Sequence, residues 1–140
     1  MSKTLGVAAT ADIMHLQEYV EEGDGICRFR PHGDCSLIEA VDLITRAIAY
    51  CRERSVNRLL IDVTGLTGVP IPSLVDRFLM IEEWAQEAEG MVLVVLVVHA
   101  EYIHPEKFGV RVAADFGLVA DIYTSETDAF KWLFSGVDPR

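Results

Sequence analysis

Met91-Val92-Leu93-Val94-Val95-Leu96-Val97-Val98 is the longest uninterrupted apolar run in the sequence. Crossing a bilayer as a helix takes about 20 such residues, so this run is too short to be a span. Its valine content and lack of polar alternation make it a strand buried on both faces, and the expected centre of a sheet. Such a strand needs helices beside it, and the flanking sequence supplies them. Upstream, Ser73-Leu74-Val75-Asp76 has the form of a helix start with Ser73 as N-cap. Leu74, Phe78, Ile81, Ala85 and Ala88 then recur at helical spacing as the expected inward stripe, with Trp84 alongside, and Gly90 ends the helix. Downstream, a loop over 102–107 carrying Pro105 leads to a short helix over 108–115 that stops at Gly117.

Further out, Leu59-Leu60-Ile61-Asp62-Val63 is a second doubly covered strand, broken by Thr64-Gly65-Leu66-Thr67-Gly68 and a rigid connector between Pro70 and Pro72. Residues 118–123 form the last strand. Ser125-Glu126-Thr127-Asp128 caps a closing helix whose inward residues are Ala129, Phe130 and Leu133, with Trp132 at its flank. Towards the N-terminus, residues 13–20 and 26–30 read as a hairpin around an acidic, glycine-containing turn over 21–25, and a loop over 31–35 follows. Ser36-Leu37-Ile38-Glu39 is a capping-box signature, after which Leu37, Val41, Ile44, Ile48 and Cys51 form one helical stripe. Arg52 and Arg54 in its last turn complement the helix dipole. The order β-β-α-β-α-β-α-β-α predicts an α/β fold: one domain over 1–140, with a mostly parallel mixed sheet, an antiparallel hairpin at its edge and about four helices. Residues 1–11 are expected to be an extended or disordered N-terminus.

The totals limit the partners. Twelve Lys and Arg stand against 22 Asp and Glu among 140 residues, a net charge of −10. Without a basic cluster, binding to nucleic acid or to anionic lipid is not expected. Cys27, Cys35 and Cys51 form an odd set without C-x-x-C spacing, so neither a disulfide framework nor a zinc site is expected. The first residues lack the apolar core of a signal peptide, and a cytoplasmic protein is the expectation.

Element order and two short stretches carry a resemblance. The strand and loop Leu59-Leu60-Ile61-Asp62-Val63-Thr64-Gly65 resembles the Asp-x-Ser/Thr-Gly strand end of STAS domains, the anti-sigma-factor-antagonist fold of the SpoIIAA type. The ending Tyr123-Thr124-Ser125-Glu126-Thr127-Asp128-Ala129-Phe130-Lys131-Trp132-Leu133 looks like the close of the wider SpoIIAA-like group of bacterial proteins. The resemblance implies a regulatory, non-catalytic module that contacts a protein partner through the loop around 64–73, switched by phosphorylation of a serine at the following helix start. Ser73 stands at about that place, although the Asp before and the Gly after it in the antagonist motif are absent here. Through shared architecture with CRAL-TRIO domains, the resemblance also implies a small apolar or lipid-like ligand.

Residue by residue, the plainest reading of Ser73 is a helix cap, which needs no kinase. Thr64 and Thr67 are alternative hydroxyls for a switch, and Asp62 is expected to bind the amides of the next loop. The loops over 64–72 and 99–107 both follow parallel strands at their carboxyl ends, where α/β proteins place ligands, so Glu101, Tyr102, His104 and Lys107 are expected to form a ligand patch. Glu101 and His104 have the chemistry of a proton-transfer pair, but no nucleophile is spaced to match, and a surface role is expected for both. Gly65 and Gly68 do not make a phosphate-binding loop, because no Lys-Ser/Thr follows. No cofactor or metal site is expected. His15 and His32 show no i, i+4 ligand spacing, and Glu82, Glu83, Glu87 and Glu89 read as a solvated helix face. Phe78, Trp84, Phe108, Phe130 and Trp132 are expected mostly in the core, and any left outside would offer a surface to a partner or a second copy of the chain.

Overall fold

Alternation along β4 (Arg58–Asp62) sets the layers, since Leu59 and Ile61 point to one face of the sheet and Leu60 to the other. In the computed structural model, which describes residues 20–137, three helices cover the first face and one covers the second. β1 (Val20–Gly23), β2 (Ile26–Phe29), β4, β6 (Leu93–Val97) and β7 (Ala120–Tyr123) form one mixed sheet in the order β1-β2-β4-β6-β7. Only the β1–β2 pair is antiparallel. The helices are α1 (Leu37–Glu53), α2 (Leu74–Ala88), α3 (Phe108–Asp115) and α4 (Glu126–Leu133). None of these is long and apolar enough to cross a membrane. The expectations for residues 1–11 and for the strand start at 13–19 lie outside the described residues.

Three helices start as the sequence predicts. Ser36 and Glu39 close a full capping box on α1, and Ser73 and Asp76 another on α2. Ser125 caps α4 by accepting the Asp128 N–H. The hairpin differs from expectation. Glu21 and Glu22 belong to the strand, and the turn is only Asp24-Gly25, both at positive φ (57° and 78°), the backbone of a two-residue primed turn. Two expected loops also carry strands: β3 (His32–Asp34) and β5 (Gly65–Thr67) pair in parallel as a second, two-stranded sheet. Glycine at 65 permits it, because a Cβ there would stand 3.0 Å from the Pro31 carbonyl oxygen.

Central position falls to β4, with β6 one strand further along, between β4 and β7. The inward stripe of α2 is also turned relative to the predicted one. Ile81, Trp84 and Ala88 are buried, whereas Leu74 is 52% exposed and Phe78 43%. Trp84 decides the rotation: its ring buries more apolar area than either of the displaced side chains, and its indole N–H finds the Val41 carbonyl at 3.2 Å. On α4, Ala129 and Leu133 are buried as predicted, while Phe130 turns outward. Glu87 and Glu83 do not belong wholly to a solvated face. Glu87 pairs with Arg52, and Glu83 accepts the Thr45 hydroxyl at 2.7 Å, so both tie α2 to α1.

Candidate functional site

The loops after β4 and β6 leave the sheet at its carboxyl edge and meet there, as the sequence predicts. Three side chains join them. His99 donates through Nε2 to the Thr64 carbonyl at 3.1 Å, and the Tyr102 hydroxyl donates to the Val69 carbonyl. Arg77, from the start of α2, donates through Nε to the Pro72 carbonyl at 3.3 Å and through Nη1 to the Tyr102 carbonyl at 3.1 Å. Below this bridge, between the three-helix layer and the sheet, lies a cavity of about 100 Å³. Its walls include Val41 and Ile44 of α1, Met80 and Trp84 of α2, Leu96 of β6 and Val63 after β4. A second cavity of about 60 Å³ continues under α3, bordered by the same Arg77, Met80, Trp84 and Leu96, together with Val110 and Leu118. The two make one largely apolar cleft, with Arg77, His99 and Tyr102 at its loop end and the paired Lys107 and Asp121 beside the second cavity.

The predicted ligand patch divides across this cleft. Tyr102 closes the first cavity, and His104 and Lys107 border the second. Lys107 is held by Asp121 at 2.7 Å and lies 4.8 Å from the centre of the Tyr123 ring. Asp121 also accepts the Tyr123 hydroxyl at 2.9 Å, and burial together with that carboxylate pushes the phenol up to about 12. Glu101 is exposed and borders neither cavity. Among the described residues no hydrogen bond links it to His104, whose Nδ1 instead accepts the Glu106 N–H at 3.1 Å.

The predicted switch residues serve the loops rather than the cleft. Ser73 is the α2 cap, bonded both ways to Asp76 at 3.0 Å. Thr67 donates to Asp34 at 3.0 Å across the β3–β5 pair. Asp62 accepts the Thr64 N–H at 3.0 Å and hydroxyl at 2.6 Å, as expected of a carboxylate binding the next loop. On that side of the sheet Asp62 also meets Glu126 of α4. Burial first, and then the contact with Glu126, raises the Asp62 carboxyl above its ordinary value. Arg30 clasps Glu126 with two N–H groups at 2.9 and 2.8 Å and holds its carboxyl down to about 2. Of the two carboxyls, Asp62 is therefore the one that takes up a proton first as the pH falls.

Arg77, Trp84 and Met80 are cleft residues that the sequence reading did not single out as functional. Arg77 did carry a signal: it is the lone cation of α2, and the residues three and four away, Ser73, Leu74, Met80 and Ile81, include no acid to pair with it. Compared with protein-family models and with curated proteins, the sequence gives no match.

Proposed function

We propose that the chain is a non-catalytic regulatory module of the STAS kind that works by docking a protein partner on the outer face of α2 and the loop before it. One observation carries this reading. Ile71, Leu74, Val75, Phe78 and Leu79 are all at least 43% exposed and follow one another on the loop and the first turns of a single helix. Phe78 extends the patch to Phe116, with ring centres 5.4 Å apart, and Leu79 extends it across a groove to Ile38 of α1. Contiguous apolar surface of this kind marks contact sites on soluble domains, the more so in a chain of net charge −10. Element order and the position of the loop support the likeness to STAS domains, and in this reading Ser73 is the cap that fixes the head of the docking face.

A photo-crosslinking residue in place of Val75, with Arg46 on the exposed side of α1 as control, tests the reading in the producing cell. The expected result is a discrete adduct from position 75 alone, lost when Leu79→Asp is added. Its mass then tells a second copy of the chain from a different protein. Adducts at neither position, or equally at both, would sink the idea.

A second reading, a binding site for a small apolar ligand, is favoured by the cleft beneath α2, whose walls are almost entirely aliphatic and aromatic.

A further inference from the structure

Arg77 shares α2 with four carboxylates, Asp76, Glu82, Glu83 and Glu87, yet among the described residues it forms an ion pair with none of them. Arg30 and Arg52, by contrast, each bind a carboxylate. The Arg77 side chain is half-buried, and its two acceptors, the Pro72 and Tyr102 carbonyls, are neutral. They fix the guanidinium without balancing its charge, which is costly to keep out of water. A guanidinium has five N–H donors, and two are used here, so a planar pair of acceptors can still be bound.

The guanidinium borders both cavities of the cleft. A carboxylate docked on it would place its tail against Met80, Trp84 and Leu96. Among the described residues the only acid bordering the cleft, Asp121, is already engaged by Lys107, by the Tyr123 hydroxyl and by its neighbour's N–H at 2.8 Å. The charges at the far cavity, Asp121 and Lys107, are thus paired with each other, which leaves the unbalanced guanidinium of Arg77 at the loop end for the head group. Volume limits the tail. An apolar cavity of roughly 150 Å³ accommodates benzene, so a cleft of this size suits one ring or a short acyl chain.

We propose that the cleft binds a small apolar monocarboxylate, with Arg77 as the residue that takes its head group. The proposal rests on the ligand reading of the cleft and goes beyond it in naming the charge of the ligand.

Three probes of equal tail length, hexanoate, hexan-1-ol and hexylamine, titrated into the full-length chain and followed by the NMR signals of the Trp84 indole and the cleft methyls, test it. Hexanoate is expected to bind about tenfold or more tighter than hexanol, the margin of one charge-assisted bidentate contact, and hexylamine not at all. Arg77→Gln is expected to abolish the margin of hexanoate over hexanol, and the hexanol still bound by the variant reports that its cleft is folded. If neither acid nor alcohol binds the wild-type chain, the cleft is not a ligand site. Equal binding of the two by the wild-type chain keeps the cleft but overturns the role of Arg77, and this comparison needs no variant to fold.

Discussion

Asp62 and Glu126 are 64 positions apart in sequence and meet at the end of the central strand, where one carboxyl is raised and the other lowered. Their contributions to stability run in opposite directions. Arg30 depresses Glu126 to about 2, so its contribution is present above the ordinary carboxylate range and is lost as pH falls towards 2. Asp62 is raised, so its contribution is full below its ordinary value of 3.8 and is lost as pH rises through the raised value. Asp62→Asn keeps an oxygen for Thr64 and removes the acid. The variant is expected to melt above wild type at pH 7 by roughly 2–4 °C, allowing for solvent screening of a half-exposed pair. That margin should close as the pH is lowered past 3.8. Melting curves over pH 3–7 check it, and a lower Tm for the variant at pH 7 would overturn the raised Asp62 carboxyl. The bond from Asp62 to its own loop was legible in the sequence because it is local. Glu126 and Arg30 were not, because only the fold brings them to the same strand end.

The β3–β5 pair depends on a few backbone positions. Gly68 follows β5 with φ +83°, and a Cβ there would lie 2.7 Å from Asp34 Oδ1, the atom that accepts the Thr67 hydroxyl. Gly68→Ala is therefore expected to destabilise the chain by about 1–3 kcal/mol in urea unfolding, through strain at positive φ and loss of the Thr67–Asp34 bond. Gly23→Ala, with nothing within 4 Å of its Cβ, should shift the midpoint far less. Helix starts and the extent of α3 were legible because caps and breakers act within a turn or two. The strands β3 and β5 were not, since three-residue strands of His-Gly-Asp and Gly-Leu-Thr, with the single apolar residue Leu66, carry no apolar periodicity. The rotation of α2 was hidden for a different reason. Helical spacing admits both the 74-78-81-85-88 stripe and the one through 81, 84 and 88, and only the space available for Trp84 beside Val41 chooses between them. That choice makes the candidate site, because it turns Met80 and Arg77 into the cleft and Leu74 and Phe78 out of it.

Taken whole, the described residues build a five-stranded sheet with unequal covers, and its alternating order was readable from the sequence because each of its strands and helices declares itself within a short window. β4 lies at the centre, paired over five residues with β6 and over three with β2. Amide exchange should follow that layout. The N–H groups of Leu60, Ile61, Val94 and Val95 are expected to exchange last, β1 and β7 earlier, and the β3–β5 pair first, in residue-resolved hydrogen exchange. Early exchange in β4 would contradict the arrangement. The rims of the sheet have a bearing on how such a chain assembles. Among the described residues, β1 presents Glu21 and Glu22 along one unpaired edge, and β7 at the other carries the Asp121 carboxylate with Lys107 clamped to it. Strand-by-strand polymerisation would have to crowd Glu22 and the Glu21–Arg30 pair at the first rim and the Lys107–Asp121 pair at the second. Fibre growth by strand addition is thus discouraged at both rims, and association is steered to the exposed apolar face of α2.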